Sequence, residues 1–179
     1  MKIAILLADG FEEIEALTPV DLLKRANVGI DMIGIDKPVI CGAHGIKITA
    51  DIVSYDADYT AYDAVILPGG MPGTLNLDKA DFTDKILDSV ISKGGRIAAI
   101  CAAPLILGRR GLLKGKEAIC YPGFENELIG AAISQKSVVT DGLITTAKGM
   151  GVALEFAKEL VSLICTEKTM QELSKAIME

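Results

Sequence analysis

The chain has 179 residues, half of them hydrophobic, and a formal net charge of −6. This length predicts a single domain over residues 1–179 with room for a substantial core. The negative charge argues against nucleic acid and anionic membranes as main partners, because both require a basic surface. The chain has no Trp, which further weakens the case for stacking on nucleic acid bases.

Targeting and metal-binding signals are absent from this sequence. The apolar run after Lys2 is short and reaches acidic residues at Asp9 and Glu12, so we expect no signal peptide and no membrane span. The four cysteines show no C-x-x-C spacing and His44 is the only histidine, which argues against a zinc site. We therefore expect reduced thiols, a cytoplasmic location, and neither a metal nor a cofactor.

Strand and helix patterns alternate along the chain. Continuous apolar runs predict buried strands, and spacings of three and four predict amphipathic helices. The predicted strands are 2–8, 28–35, 64–67 and 96–101, a weaker β-rich stretch at 39–53 with turns at Gly42 and Gly45, and short strands at 117–120, 138–139 and 144–147. The predicted helices are 12–25, 78–92, 104–110, 151–165 and 167–178, with a helical turn at 125–129. This order predicts an α/β fold, a doubly wound sandwich with a mostly parallel central sheet and helices on both faces.

The first predicted helix carries two further expectations. Pro19 lies inside it and should kink or break it locally, because proline lacks the N–H that a helix interior uses. Glu12 and Glu13 stand at its start, where we expect solvated carboxylates that suit the helix dipole.

The segment Gly94 to Pro104 predicts a buried strand that runs directly into a helix, with Cys101 at the junction. Proline is tolerated in a first helical turn. Free backbone N–H groups and the positive end of the helix dipole converge at such a junction, and this setting favours thiolate over thiol. The alternative is a structural cysteine, since free cysteine is among the most buried residue types. The position of Cys101 alone fits both interpretations.

Three predicted strands end in segments that could form a site together, because ligands bind at the carboxyl ends of parallel strands. Glu15 follows the first strand and would face Cys101. A protonated Glu15, its pKa raised by burial and by a negative sulfur, would donate a hydrogen bond to that sulfur, and the two groups would titrate as a pair. The alternative for Glu15 is an exposed acid on the helix surface.

The other two strand ends offer backbone groups. Gly69 and Gly70 allow a tight turn and a close approach to a ligand. The N–H groups of Gly70 and Ala102 could stabilise an oxyanion. An ordinary turn at the end of a strand would show the same Gly-Gly pair.

Four motifs together resemble the DJ-1/ThiJ/PfpI superfamily, and specifically its DJ-1-like branch. They are Ala-Asp-Gly-Phe-Glu-Glu-Ile-Glu at 8–15, Leu-Pro-Gly-Gly-Met-Pro-Gly at 67–73, Ala-Ala-Ile-Cys-Ala-Ala-Pro at 98–104, and Asp-Gly-Leu-Ile-Thr-Thr-Ala at 141–147 followed by Gly149-Met150-Gly151. The resemblance implies a flavodoxin-like sandwich and a homodimer. It also implies a reactive Cys101 at a strained turn, a protonated Glu15 as its partner, N–H groups from Gly70 and Ala102, and a pocket that includes Gly69 and Tyr121.

Two positions depart from the pattern of this superfamily. Several relatives carry a histidine where this chain has Tyr121, and peptidase-like relatives carry one where it has Ala102. His44 matches neither place, and we interpret it as a surface loop residue. A cysteine peptidase needs a base to activate its sulfur and to protonate the leaving amine, so we set proteolysis aside.

The resemblance leaves two main functions open. The first is a cofactor-independent glyoxalase or deglycase, in which Cys101 attacks a small reactive aldehyde such as methylglyoxal and Glu15 transfers protons. The second is a protective protein that responds to oxidants, in which Cys101 is oxidised to a sulfinate without a dedicated substrate. A chaperone or binding module would need an exposed apolar patch, which a dimer surface would explain equally well.

Overall fold

A computed structural model describes residues 1–179, and a central seven-stranded sheet organises the chain. The strands are β1 (Lys2–Leu7), β2 (Gly29–Gly34), β3 (Val39–Cys41), β4 (Lys47–Thr49), β5 (Ile52–Val53), β6 (Ala64–Leu67), β7 (Arg96–Ile100), β8 (Glu117–Ala118), β9 (Ala132–Ile133), β10 (Val138–Asp141) and β11 (Ile144–Ala147). The helices are α1 (Glu13–Arg25), α2 (Gly73–Lys79), α3 (Asp81–Ser92), α4 (Pro104–Arg109), α5 (Ala153–Ser162) and α6 (Glu167–Ala176). None of the helices is long and apolar enough to cross a bilayer.

The order of strands in the sheet is β10-β11-β7-β6-β1-β2-β5. All neighbouring pairs are parallel except β10 and β11. The strands β3 and β4 form a separate antiparallel hairpin, and β8 and β9 form a small parallel pair. The predicted fold, a mostly parallel doubly wound sandwich, is confirmed.

The central strands are apolar throughout because both of their faces are covered. Along β1, Ala4 and Leu6 pack into one hydrophobic layer, whereas Ile3, Ile5 and Leu7 pack into the other. The first layer is completed by α2, α3 and α4, and the second by α1, α5 and α6. Alternation of side chains across a strand thus needs apolar residues at every position.

Two predicted helix boundaries are wrong. The predicted break at Pro19 does not occur: α1 continues through it, because Ala16, Val20 and Leu23 around it are anchored in the core and tertiary packing outweighs the lost hydrogen bond. The predicted helix 78–92 is divided at Ala80, whose backbone is extended (φ −79°, ψ 121°), so that α2 ends before α3 begins.

The loops after β1 and β6 pack backbone against backbone. The N–H of Glu12 donates to the carbonyl oxygen of Gly69 (2.9 Å). A Cβ on Gly70 would lie 2.3 Å from the nitrogen of Glu12, and one on Gly73 would lie 2.4 Å from the nitrogen of Phe11. The glycines therefore allow the start of α1 to lie directly beside the end of β6.

Replacing Gly73 with alanine should destabilise the fold, because the new Cβ would collide with the backbone of Phe11. We expect Gly73→Ala to lower the free energy of unfolding by about 1–3 kcal/mol, the usual range for overpacking. Gly151→Ala is the matched control, since a Cβ there would meet no atom within 4 Å. Urea unfolding measures both changes, and equal midpoints for the two variants would contradict the close approach of the loops.

Candidate functional site

Cys101 directly follows β7 and has a strained backbone. Its φ is +65°, in the left-handed region that residues with a side chain rarely adopt. Its N–H donates to the carbonyl oxygen of Ala147 (2.9 Å), and its own carbonyl oxygen accepts the N–H of Tyr121 (2.8 Å). Two neighbouring segments thus hold the sharp turn in place, and the side chain is left partly exposed.

The structure places Glu15 inside the protein and not on the surface of α1. Its side chain is 1% exposed, and its Oε2 accepts the N–H of Gly69 (3.0 Å). The same carboxyl group contacts the thiol of Cys101 and the N–H of Met150. Helix α1, the loop after β6 and the loop after β11 therefore all converge on one buried carboxyl group.

Glu15 and Cys101 both resist ionisation. Burial raises the pKa of Glu15 to about 7, against hydrogen bonds from Cys101, Gly69 and Met150 that lower it. Burial, together with the charge and hydrogen bonding of Glu15, raises the pKa of Cys101 to about 12. The pair accordingly gives up one of its two protons near neutral pH and retains the other.

This outcome differs from the expectation that the junction alone favours a thiolate. The N–H groups of Gly70 and Ala102 do lower the pKa of Cys101, but burial and the neighbouring carboxyl group outweigh them. Helix α4 spans only 104–109 and adds a small dipole. A thiolate therefore requires that the remaining proton stays on Glu15.

Backbone N–H groups complete the surroundings of the sulfur. Those of Gly70 and Ala102 point towards it, and neither donates to another backbone carbonyl. Gly69 lies against both side chains of the pair: a Cβ there would lie 2.5 Å from Glu15 Oε2 and 2.6 Å from the Cβ of Cys101. No side chain fits at this position without displacing the pair.

Glu13 does not lie where its position at the helix start suggested. It is 3% exposed, and its carboxylate accepts the backbone N–H of His44 and contacts His44 Nδ1, both at 2.8 Å. Burial alone would raise the pKa of Glu13, but the hydrogen bonds from His44 bring it below its ordinary value. The prediction of a solvated Glu13 is wrong, because the loop between β3 and β4 covers it.

The neighbours of Glu13 are also engaged in local contacts. Glu12 is partly exposed and caps α1, accepting the N–H of Glu15 (2.7 Å). The ring of His44 is exposed, as expected for a surface loop, and Glu13 raises its pKa. Ligand atoms of Glu12, Glu13 and His44 lie within 4.8 Å of one another, but in this arrangement they join the β3–β4 loop to the start of α1.

Sequence reasoning missed Gly149 as a residue of the site. A Cβ on Gly149 would lie 3.9 Å from Cys101 Sγ, 3.9 Å from Glu15 Oε1 and 3.3 Å from the ring of Tyr121. Tyr121, predicted as a pocket residue, is 51% exposed, and its ring lies beside Gly149. The Gly-x-Gly motif at 149–151 was the available signal, but it does not reveal which glycine approaches the cysteine.

Comparisons with known proteins cover nearly the whole chain. The DJ-1/PfpI family model matches residues 1–163. The chain is 32% identical over 178 residues to protein dj-1beta of Drosophila melanogaster, covering 97% of this chain and 95% of that protein. It is 30% identical over 167 residues to deglycase PfpI of Pyrococcus furiosus, covering 92% and 99%.

Solved structures agree with this assignment. Toxoplasma gondii DJ-1, solved in an oxidised state, superposes with a TM-score of 0.93 and 28% identity, covering 99% of this chain and 97% of that one. The match to the family, the identity with curated relatives and the shared fold lead to one conclusion: the chain belongs to the DJ-1/PfpI family.

Proposed function

We propose that the protein is a cysteine-dependent, cofactor-independent enzyme of the glyoxalase or deglycase type, which acts on 2-oxoaldehydes such as methylglyoxal or on their adducts. The observation that carries this proposal is the buried carboxyl group of Glu15 against the thiol of Cys101, beside two free backbone N–H groups. The relative from Pyrococcus furiosus named as a deglycase supports an enzymatic activity. We further propose that the protein acts in the cytoplasm, where thiols remain reduced.

The residues of the site support the following sequence of steps in this proposal. The sulfur of Cys101 attacks the aldehyde carbon of methylglyoxal and forms a hemithioacetal, while the N–H groups of Gly70 and Ala102 stabilise the oxyanion. Glu15 then removes the proton from the former aldehyde carbon and returns a proton to the neighbouring carbon, which gives a thioester of lactate. Water hydrolyses this thioester, releasing lactate and the free thiol.

Glu15 must perform all of the acid–base work in this mechanism. Tyr121 and Ala102 occupy the positions where some relatives have histidine, and His44 is paired with Glu13. One carboxyl group has to accept, store and return protons through a buried site. We therefore expect slow turnover compared with an enzyme that divides these tasks between two groups.

Measuring lactate formation tests the proposed roles of Cys101 as the nucleophile and Glu15 as the general base. With methylglyoxal as substrate and no glutathione or metal added, Cys101→Ser should abolish turnover because the nucleophile is lost. Glu15→Gln should lower kcat by about 100-fold or more, the usual loss when a general base is removed. Cys165→Ser is the matched control, because Cys165 lies after α5 and outside the site. Activity that persists in Cys101→Ser would rule out this mechanism.

The coupled titration of Glu15 and Cys101 should be visible in the pH dependence of the rate at which iodoacetamide alkylates Cys101. The pair loses its first proton near pH 7 and the thiolate form becomes available, so the rate should rise through that pH and level off. In Glu15→Gln this step should vanish. A single step should remain above pH 7 and below about 12, because burial still raises the pKa of the thiol while the charge of Glu15 no longer does. A step near pH 7 that survives in Glu15→Gln would show that Glu15 is not coupled to the sulfur.

A second candidate function is a protective protein that responds to oxidants. The partly exposed Cys101 packs against one hydrophobic layer, whereas Cys120, the nearest cysteine in sequence, is buried in the other. In this candidate function, an oxidant such as peroxide converts Cys101 to a sulfinate. The oxidised state of the Toxoplasma gondii structure motivates this alternative.

Mass spectrometry after treatment with peroxide separates the two candidates. A protective role predicts that Cys101 alone gains two oxygen atoms, with no turnover of methylglyoxal. The buried Cys120 and the half-buried Cys41 and Cys165 serve as internal controls. Equal oxidation of all four cysteines would count against this role. The homodimer implied by the family resemblance stays a prediction, which the molar mass in solution would test.

A further inference from the structure

The loop after β11 forms one wall of the site. Cys101 donates its N–H to Ala147, the last residue of β11, and the following residues continue across the sulfur. The backbone of Gly149 lies closest, so that a Cβ there would stand 3.9 Å from both Cys101 Sγ and Glu15 Oε1. The space in front of the reacting groups is therefore bounded by a residue that has no side chain.

Tyr121 also borders this space. The hydrogen bond from its N–H to the carbonyl oxygen of Cys101 (2.8 Å) fixes its backbone beside the cysteine. Its ring stands 3.3 Å from the position of a Cβ on Gly149, and half of its surface is exposed. An aromatic ring and a bare stretch of backbone thus face each other next to the sulfur.

We propose that Gly149 and Tyr121 determine the size of the molecule that reaches Cys101, and that the site selects small, unbranched carbonyl compounds over bulky ones. The choice of carbonyl substrates rests on the proposed function, whereas the limit on size applies to any reagent that reacts with the sulfur. A methyl group at position 149 would press on the half-exposed ring and occupy space beside the thiol.

Position 149 accepts this substitution without backbone strain. Gly149 has an extended backbone (φ 160°, ψ −172°). The contacts that a Cβ would make with Cys101 and Glu15 are at ordinary van der Waals distance, and the closer contact is with a ring that can move. Because unfolding would raise both alkylation rates together, a change in their ratio in Gly149→Ala reports on access to the sulfur.

Two alkylating reagents that share a reacting group provide the test. Iodoacetamide is small, and its N-phenyl derivative has the same reactive iodomethyl carbon but carries a phenyl ring on the amide nitrogen. The rate at Cys101 is measured for each by peptide mass spectrometry. In Gly149→Ala, the ratio of the N-phenyl rate to the iodoacetamide rate should fall about tenfold, as expected when a pocket loses the space of one methyl group. In Tyr121→Ala the same ratio should rise, because the facing ring is removed.

Gly151→Ala is the matched control, since a Cβ at this neighbouring glycine meets no atom within 4 Å. Its ratio should equal that of the unmodified protein. An unchanged ratio in Gly149→Ala, or an equal fall in both rates, would overturn the proposal. Because alkylation needs no aldehyde turnover, a protein that forms no lactate but shows the changed ratio would contradict the proposed function and leave the limit on size intact.

Discussion

A carboxyl group shielded from water beside a thiol is the interaction on which the whole site depends. Burial of Glu15 would be costly without partners, and the structure supplies them from Gly69, Met150 and Cys101. Each partner belongs to a different loop at the carboxyl edge of the sheet. The site therefore exists only when α1 and the loops that follow β6, β7 and β11 are assembled together, so the fold and the chemistry cannot be separated.

Close approach of backbone to backbone makes this assembly possible. Gly69 lies against the side chains of both Glu15 and Cys101, and Gly70 and Gly73 allow the loop after β6 to touch the loop after β1. Cys101 occupies a strained backbone conformation that its hydrogen bonds to neighbouring segments maintain. Backbone strain of this kind, which persists only because the surrounding structure supports it, is typical of functional sites.

The sequence was most informative where the physical cause is local. The apolar run at 64–67 predicted β6 with its observed bounds, and the junction at Cys101 followed from a buried strand meeting Pro104. The errors have causes that lie elsewhere in the chain. Glu13 is buried by a loop about 30 residues away, α2 is built from weak helix formers such as Gly73, and α1 survives Pro19 because the core holds it.

The electrostatic state of the site was harder to predict than its composition. A strand-to-helix junction lowers the pKa of a cysteine only if the sulfur remains solvated or gains a positive neighbour. Here burial and a carboxyl group act in the opposite direction, so the negative charge and the remaining proton have to be shared between Glu15 and Cys101.

This sharing of one proton between Glu15 and Cys101 suits both candidate functions. A neutral Glu15 that donates a hydrogen bond to a thiolate would donate equally well to a sulfinate, and the N–H groups of Gly70 and Ala102 would stabilise the oxygen of either a hemithioacetal or an oxidised sulfur. If both proposals hold, aldehydes and oxidants compete for one sulfur, and the faster reaction determines whether the protein turns over or is converted to its oxidised form.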